Sequence, residues 1–571
     1  MKKYVLSVSF VALLTAVISS PWLFSQKSEE VASYIVMANS LQDAEASVLQ
    51  QKATITRSLS IVNGVSAKLT NEQAENLRDQ GLRVSLDVAM HLNTNSWRRL
   101  SEVSQSVIPY QMGVLPLHDA GWYGNGITIA VMDTGLKRMK GIDRTVSNRQ
   151  RYYGTYDATQ GVVINDDTDL NGHGTHLASI AANSQMDVFN RYYGIAPSAR
   201  LLSIKTFTDE GVGDYTSVID GIQWAIENKE LLNIRVLNMS FSAPVRSFYW
   251  DDPVNIAVMK AWQAGIVVVT SAGNQGPDPM TIGVPGNVPY VITVGAATDR
   301  YTVADQADDR ITSFSAMGPT VEGFVKPDLL GYGGHVVGLM DVNSEWATNY
   351  PQFHDGLNYF EMSGTSQAAA TVSGVVALLL QYHPELTPDQ VKCKLLSSAT
   401  PIKDPDGERF EHVLKQGAGR INATDAVLSA ELNCANQSMD IAKDIAGEEH
   451  YVGALAFTTE SEVQPAISTL LNDGNIWRDG NIWRDGNIWR DANILFDGNI
   501  WRDGNIWRDG NIWRDANLWQ DGNIWRDGNI WRDGNIWRDA TLMSASSIPE
   551  ASTVILDTTY TTDVANWIDP E

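Results

Sequence analysis

Five apolar, β-branched runs recur through the middle of the chain: ITIAVMD (127–133), LLSIKTF (201–207), RVLNMSF (235–241), GIVVVTSAG (265–273) and YVITVGA (290–296). They are continuous rather than alternating, so strands built from them are buried on both faces. Helical patterns lie between them, as in Tyr215–Asn228 and Pro253–Ala264. That alternation predicts an α/β domain over 107–432, with a mostly parallel sheet covered by helices on both faces in three layers. In such sheets the chemistry lies just beyond the carboxyl ends of the strands.

The preceding stretch, 32–93, changes rhythm. SYIVMAN (33–39) reads as a strand and 43–51 as a helix. The segment 55–69 reads as a hairpin turning at Asn63-Gly64, 70–80 as a second helix, and LRVSLDV (82–88) as a last strand. The order suggests a small α+β, ferredoxin-like module. A polar linker follows over 94–106. After the α/β domain comes a connector, 433–472, with no distinguishing pattern. Next is an array of twelve hexads (473–544), nine of them Asp-Gly-Asn-Ile-Trp-Arg, with every fourth one degenerate. A tail of 27 residues (545–571), with five acids and no Lys or Arg, ends the sequence.

Composition narrows the class. At 571 residues the chain exceeds one ordinary core, so several domains are expected. A net charge of −25 argues against nucleic acid and anionic membranes as partners. Lys2 and Lys3 precede an apolar run, Tyr4–Ile18, and then Ser19 and Ser20, so residues 1–25 read as an export signal and the protein as secreted, whether extracellular, periplasmic or at the cell surface. A retained N-terminal anchor is the alternative. Cys393 and Cys434 are the only cysteines; one disulfide or two buried thiols both fit.

Four residues stand where the sheet should place chemistry. Asp133 ends a buried strand in AVMDTGL; by itself it could simply cap the following turn. His173 opens a helix in NGHGTHLASI, where a metal site with His176 is the competing reading. Ser366 begins a long apolar helix in MSGTSQAAATVSGVVALLL; an N-cap serine is the plainer alternative. Asn274 follows a strand in TSAGNQG and could donate to an oxyanion or merely tolerate a left-handed turn. Taken together, Asp, His and Ser supply a base-activated nucleophile and a group that orients the base.

IAVMDTGL, NGHGTHLASI, SAGNQG and SGTSQAAA resemble the Asp, His, oxyanion-Asn and Ser blocks of the subtilisin-like serine proteases. The likeness extends over about 107–430, through GIAPSARLLSIK (194–205), LNMSFS (237–242), AWQAGIVVV (261–269), PGNVPYVITVGA (285–296) and SFSAMGPT (313–320). The resemblance implies that Asp133, His173 and Ser366 form a triad, with Asn274 as oxyanion donor. It implies that Gly211, Val212 and Gly213, and Ser240, Phe241 and Ser242, pair with the substrate backbone as added strands. Gly283 would lie at the base of the primary specificity pocket and leave room for a large apolar residue. The 32–93 module resembles the family's propeptide, an intramolecular chaperone and temporary inhibitor, which implies a zymogen cut within 94–112. The expected partners are protein and peptide substrates and the chain's own propeptide.

There are departures from the family pattern. Gln367 replaces the usual Met after the nucleophile, Ala370 a usual Pro, Ser242 a typical Gly, and KPDLLGYGG (326–334) the usual KPDxxAPG. No cofactor is needed for serine chemistry. A structural calcium ion stays open through Asp166, Asp167 and Asp169, although the 183–193 loop shows no clear ligand match. The hexad array suits a β-type solenoid or meander. Its Trp and Arg could grip glycans or a cell surface, or the array could be a spacer. An adhesion or glycan-binding protein built around that array is therefore the alternative to a peptidase.

Overall fold

The computed structural model describes residues 31–92, 107–165, 167–303, 305–403 and 411–453. The export segment, the 94–106 linker, Asp166, the hexad array and the tail lie outside the described residues, as does the connector beyond Gly453.

Residues 31–86 form a β-α-β-β-α-β unit: β1 (Val31–Met37), α1 (Leu41–Gln50), β2 (Thr54–Leu59), β3 (Gly64–Thr70), α2 (Asn71–Asp79) and β4 (Arg83–Leu86). Local chemistry explains the boundaries. Ser40 caps α1 by accepting from Asp43 N–H, and Thr70 with Gln73 forms a capping box on α2. The turn expected at Asn63-Gly64 is a short 3₁₀ turn, Ser60–Val62, closed by Asn63 in the left-handed region. The sheet runs β2-β3-β1-β4, with β1 antiparallel to both its neighbours. Successive side chains of β1 face opposite ways. Tyr34 and Val36 pack with Ala44, Val48, Ala74 and Leu77 in a core of their own, whereas Ile35 and Met37 join Leu59 and Val62 in the main core. The unit is thus bound by apolar burial to the domain that follows it. The strand β5 (Ala89–Leu92) then leaves this sheet altogether.

Two short helices, α3 (Ile108–Gln111) and α4 (Leu115–Asp119), lead into the larger domain. Its strands are β6 (Thr128–Asp133), β7 (Tyr152–Asp157), β8 (Val162–Ile164), β9 (Arg200–Lys205), β10 (Val212–Asp214), β11 (Ile234–Met239), β12 (Phe241–Ser242), β13 (Val267–Ser271), β14 (Ile292–Thr298), β15 (Arg310–Ile311), β16 (Leu329–Tyr332) and the antiparallel pair β17 (Val336–Leu339) and β18 (Tyr359–Met362). The central sheet runs β15-β14-β13-β11-β6-β9-β7-β8, with β16 also on β14. Its inner pairs, from β7–β9 through β6 and β11 to β14 and β16, are parallel, and only β7–β8 and β14–β15 are antiparallel.

Helices cover it in two layers. In one, α5 (His173–Ala182) packs against the later helix α9; in the other, α6 (Tyr215–Leu232) packs against α7 (Pro253–Gln263). Past α8 (Glu345–Asn349) comes α9 (Thr365–Tyr382), whose first sixteen residues are all buried. A helix buried all round belongs at the centre of a domain, and α9 packs on β6, β11, β13, β14 and β16. The remaining helices are α10 (Pro388–Ser397), α11 (Val413–Gln416), α12 (Ala423–Leu428) and α13 (Ile441–Ala446).

The start of the connector is not the featureless stretch its sequence suggests. Cys434 is disulfide-bonded to Cys393 on α10. Asp444 on α13 is buried, and one of its oxygens accepts from Tyr249 Oη (2.6 Å) and Tyr290 Oη (2.9 Å) while the other meets His450 Nδ1 at 2.8 Å. His450 stacks on Trp250 with ring centroids 4.8 Å apart, and Gly453 N–H donates to Glu322 O (2.8 Å). Residues 434–453 are therefore strapped onto the α/β domain.

The disulfide spans a sequence separation of 41 residues, a loop for which removal of the crosslink typically lowers stability by about 2–4 kcal/mol. We expect Cys434→Ser, introduced into a Ser366→Ala chain, to lower the urea midpoint by that equivalent, measured by tryptophan fluorescence.

Candidate active site

β6 delivers Asp133 to its carboxyl end, and α5 begins on His173. Both side chains are fully buried, and His173 Nδ1 lies 2.7 Å from Asp133 Oδ1. The same oxygen accepts from Thr134 N–H (2.8 Å). With Nδ1 held by the carboxylate, Nε2 becomes the imidazole's basic nitrogen, and it has no partner among the described residues. Two glycines make the approach feasible. A Cβ on Gly174 would fall well inside contact distance of Gly135 O, and Gly135 has φ +131° with a Cβ site 2.6 Å from Asp167 Oδ2.

Ser366 is the second residue of α9, and α9 packs on α5, so both first turns stand at one edge of the sheet. Ser366 Oγ donates to Ser240 O (2.8 Å), and Ser240 Oγ is fixed in turn by Asn238 Nδ2 (2.8 Å). Asn274 comes from the end of β13. Its Oδ1 accepts from Thr365 N–H (3.1 Å) and Thr365 Oγ1 (2.9 Å), which fixes the amide's orientation because a backbone N–H can only donate. Asn274 Nδ2 is left buried with no partner among the described residues. A buried, unpaired donor beside an N-terminal helical turn suits an anion that forms only during reaction.

β5 runs between β10 and β12, antiparallel to both. Val212, Gly213 and Asp214 pair with His91, Met90 and Ala89, and Phe241 and Ser242 pair with Leu92 and His91. Met90 is fully buried within the main core. Asp87, just before this strand, accepts from Thr216 N–H (3.1 Å) and Oγ1 (2.6 Å) at the first turn of α6. Burial, reinforced by the nearby Asp214, raises the Asp87 carboxyl above its usual range. Gly211 has φ +73° and leads into β10. The space a side chain would need at Gly283 is taken by Ala243 O, 2.7 Å from the Cβ site, so this glycine is required by backbone contact with the Ser242–Ala243 segment.

Of the acids considered for calcium, Asp166 lies outside the described residues and the other two accept hydrogen bonds within the protein. Asp167 accepts from Leu136 N–H, Asp169 N–H and Thr155 Oγ1, and Asp169 from Thr134, Gly172 and Thr175. His176 does not join His173 as a ligand pair: its Nε2 lies 3.0 Å from Phe360 O, and burial lowers its pKa to about 3. Gln367 is buried, and neither amide atom has a partner among the described residues. Sequence reasoning overlooked β5 as the strand between the two cleft segments, and the bridging role of Asp169. The acid pairs so close to His173 were the available signal.

Residues 124–419, more than half of the chain, match the subtilase family of S8 peptidases. Serine protease AprX of Bacillus subtilis is 38% identical over 312 residues, an alignment covering 53% of this chain and 66% of that one. Subtilisin DY of Bacillus licheniformis is 32% identical over 286 residues, covering 50% of this chain and 87% of that protein. In fold, the chain is similar to fervidolysin from Fervidobacterium pennivorans, a keratinolytic enzyme related to subtilisin. The TM-score is 0.56 at 22% identity, over 71% of this chain and 62% of that one. The chain belongs to the subtilase family and is by class a subtilisin-like serine endopeptidase.

Two outcomes follow from the side chains around Ser366. Asn274→Leu should lower kcat by about 10²–10³ with little change in KM, read by peptide-anilide hydrolysis. Gln367 cannot form a sulfoxide, so hydrogen peroxide should inactivate Gln367→Met faster than the wild type.

Proposed function

We propose that this protein is a secreted serine endopeptidase that cleaves proteins through an acyl-enzyme and is made as a self-processing zymogen. The observation that carries the reading is the register of β5 between β10 and β12. A segment of the chain lies as an added strand between β10 and β12, the latter directly following Ser240, which contacts Ser366, as a peptide substrate would.

In the proposed cycle Ser366 Oγ attacks the substrate carbonyl while its proton passes to His173 Nε2. Asp133 stabilises the imidazolium through the bond at Nδ1. The oxyanion receives a hydrogen bond from Asn274 Nδ2 and faces the positive N-terminal end of α9, whose second residue is Ser366. The imidazolium then protonates the departing amine, leaving Ser366 acylated. Water, deprotonated by His173, attacks the ester and releases the acid and the serine.

The unit 31–92 fills the role of an intramolecular inhibitor in this reading. Phe241 pairs with Leu92, the last residue of β5, and Ser240 directly precedes Phe241 in the chain. Ser240 O is the carbonyl that Ser366 Oγ contacts. The maturation cut is accordingly expected after Asn93, giving an N-terminus at Thr94. The burial of Met90 supports a preference for a large apolar residue three positions before the residue whose carbonyl is attacked. The Cys393–Cys434 bond supports an oxidising destination, in keeping with the export signal.

Expression of the full chain with and without Ser366→Ala, followed by N-terminal sequencing and a casein assay, tests the proposal. The wild type should yield Thr94 and digest casein; the variant should remain uncut and inactive. Identical processing of both chains, with casein untouched, would overturn it.

A further inference from the structure

Asp169 is almost wholly buried, with φ +39°, a backbone conformation that holds only where its surroundings enforce it. Its carboxylate meets four donors. Oδ1 accepts from Thr134 Oγ1 (2.8 Å) and Gly172 N–H (3.0 Å); Oδ2 accepts from Thr175 N–H (2.8 Å) and Thr175 Oγ1 (2.5 Å). Thr134 directly follows Asp133, while Gly172 and Thr175 bracket His173. One carboxylate thus grips the two segments whose side chains meet at 2.7 Å.

The grip has no local substitute. Gly172, the residue before α5, has no side chain to cap the helix, so Asp169 takes the role that a Ser or Asp at that position would play. Thr134 Oγ1 completes the tie: it donates to Asp169 (2.8 Å), with Asp133 Oδ1 a longer second acceptor (3.3 Å), and accepts from Gly174 N–H (3.0 Å). Asp167, two residues earlier, anchors the same loop through Leu136 N–H (2.7 Å) and Asp169 N–H (3.0 Å), and is held by Thr155 of β7. Every donor to Asp169 thus comes from the Asp133 or the His173 segment.

We infer that Asp169 is a positioning residue for catalysis, holding the Asp133 loop and the start of α5 in the register that keeps the His173 imidazole aimed. The inference rests on the peptidase reading above. It concerns alignment alone, so the loss should appear in kcat rather than in KM, and a displacement of the order of 1 Å typically costs about 10²-fold.

The experiment uses the full chain and its processed form with a peptide anilide as substrate. Asp169→Asn keeps the shape but replaces one acceptor oxygen with a donor; it should reduce kcat about 10²-fold and leave KM within about twofold. Thr134→Val should do the same and Thr134→Ser should restore the rate. The Asp169→Asn, Thr134→Val double variant should be no slower than the worse single one, because both break one tie. Should Asp169→Asn fail to fold, the Thr134 series decides alone. The inference is overturned by an unchanged kcat in Asp169→Asn or Thr134→Val, by a loss confined to KM, by Thr134→Ser as slow as Thr134→Val, or by losses that multiply in the double variant. The peptidase reading stands or falls separately, on whether Ser366→Ala abolishes an activity the wild type has.

Discussion

A carboxylate sealed from water is costly unless donors meet it, and Asp133, buried at the end of β6, meets them on one oxygen while its Oδ2 has no partner among the described residues. One oxygen receives Thr134 N–H and the His173 ring nitrogen. The other features of the reactive edge answer to that demand. The imidazole must be brought to the strand end by a helix that starts there, and the backbone between must pass without side chains. Gly135 and Gly174 meet the second requirement. The first is met by the sheet order, which sets β6 between β9 and β11 under the two packed helices α5 and α9.

The same edge collects the remaining chemistry because parallel strands end together. β11 leads to Ser240, β13 to Asn274, and α9 returns beneath them with Ser366 in its first turn. The three are coupled by ordinary polar contacts: Ser366 to Ser240 O, Ser240 to Asn238, and Thr365 to Asn274. The burial of α9 gives this set a rigid base, since a helix packed on five strands has little freedom to shift.

Much of this was legible in the sequence because it is local. The continuous apolar runs marked β6, β9, β11, β13 and β14 to within two or three residues, and the glycine-containing motifs marked Asp133, His173, Asn274 and Ser366 as candidates. What escaped reading depends on pairings distant along the chain. Nothing around Ala89–Leu92 says that its partners are Val212–Asp214 and Phe241–Ser242, more than a hundred residues on. Asp169 reads as one acid among several, and a calcium ligand set is the natural guess until its four donors are seen. The connector after Leu432 was opaque for the same reason. One of its anchors is Asp444, whose meaning comes from Tyr249 and Tyr290, nearly two hundred and over a hundred and fifty residues earlier. Gly283 was legible as a glycine with a purpose, but the close passage of Ala243 could be seen only in three dimensions.

The strap over 434–453 also has a mechanical meaning. A pull applied to the chain beyond Gly453 meets the Gly453–Glu322 hydrogen bond, then the Asp444 cluster, and finally the covalent link to α10. Force entering there is shared with α7, through α13, and with α10, so the body of the α/β domain takes the load before the chain between Cys393 and Cys434 does.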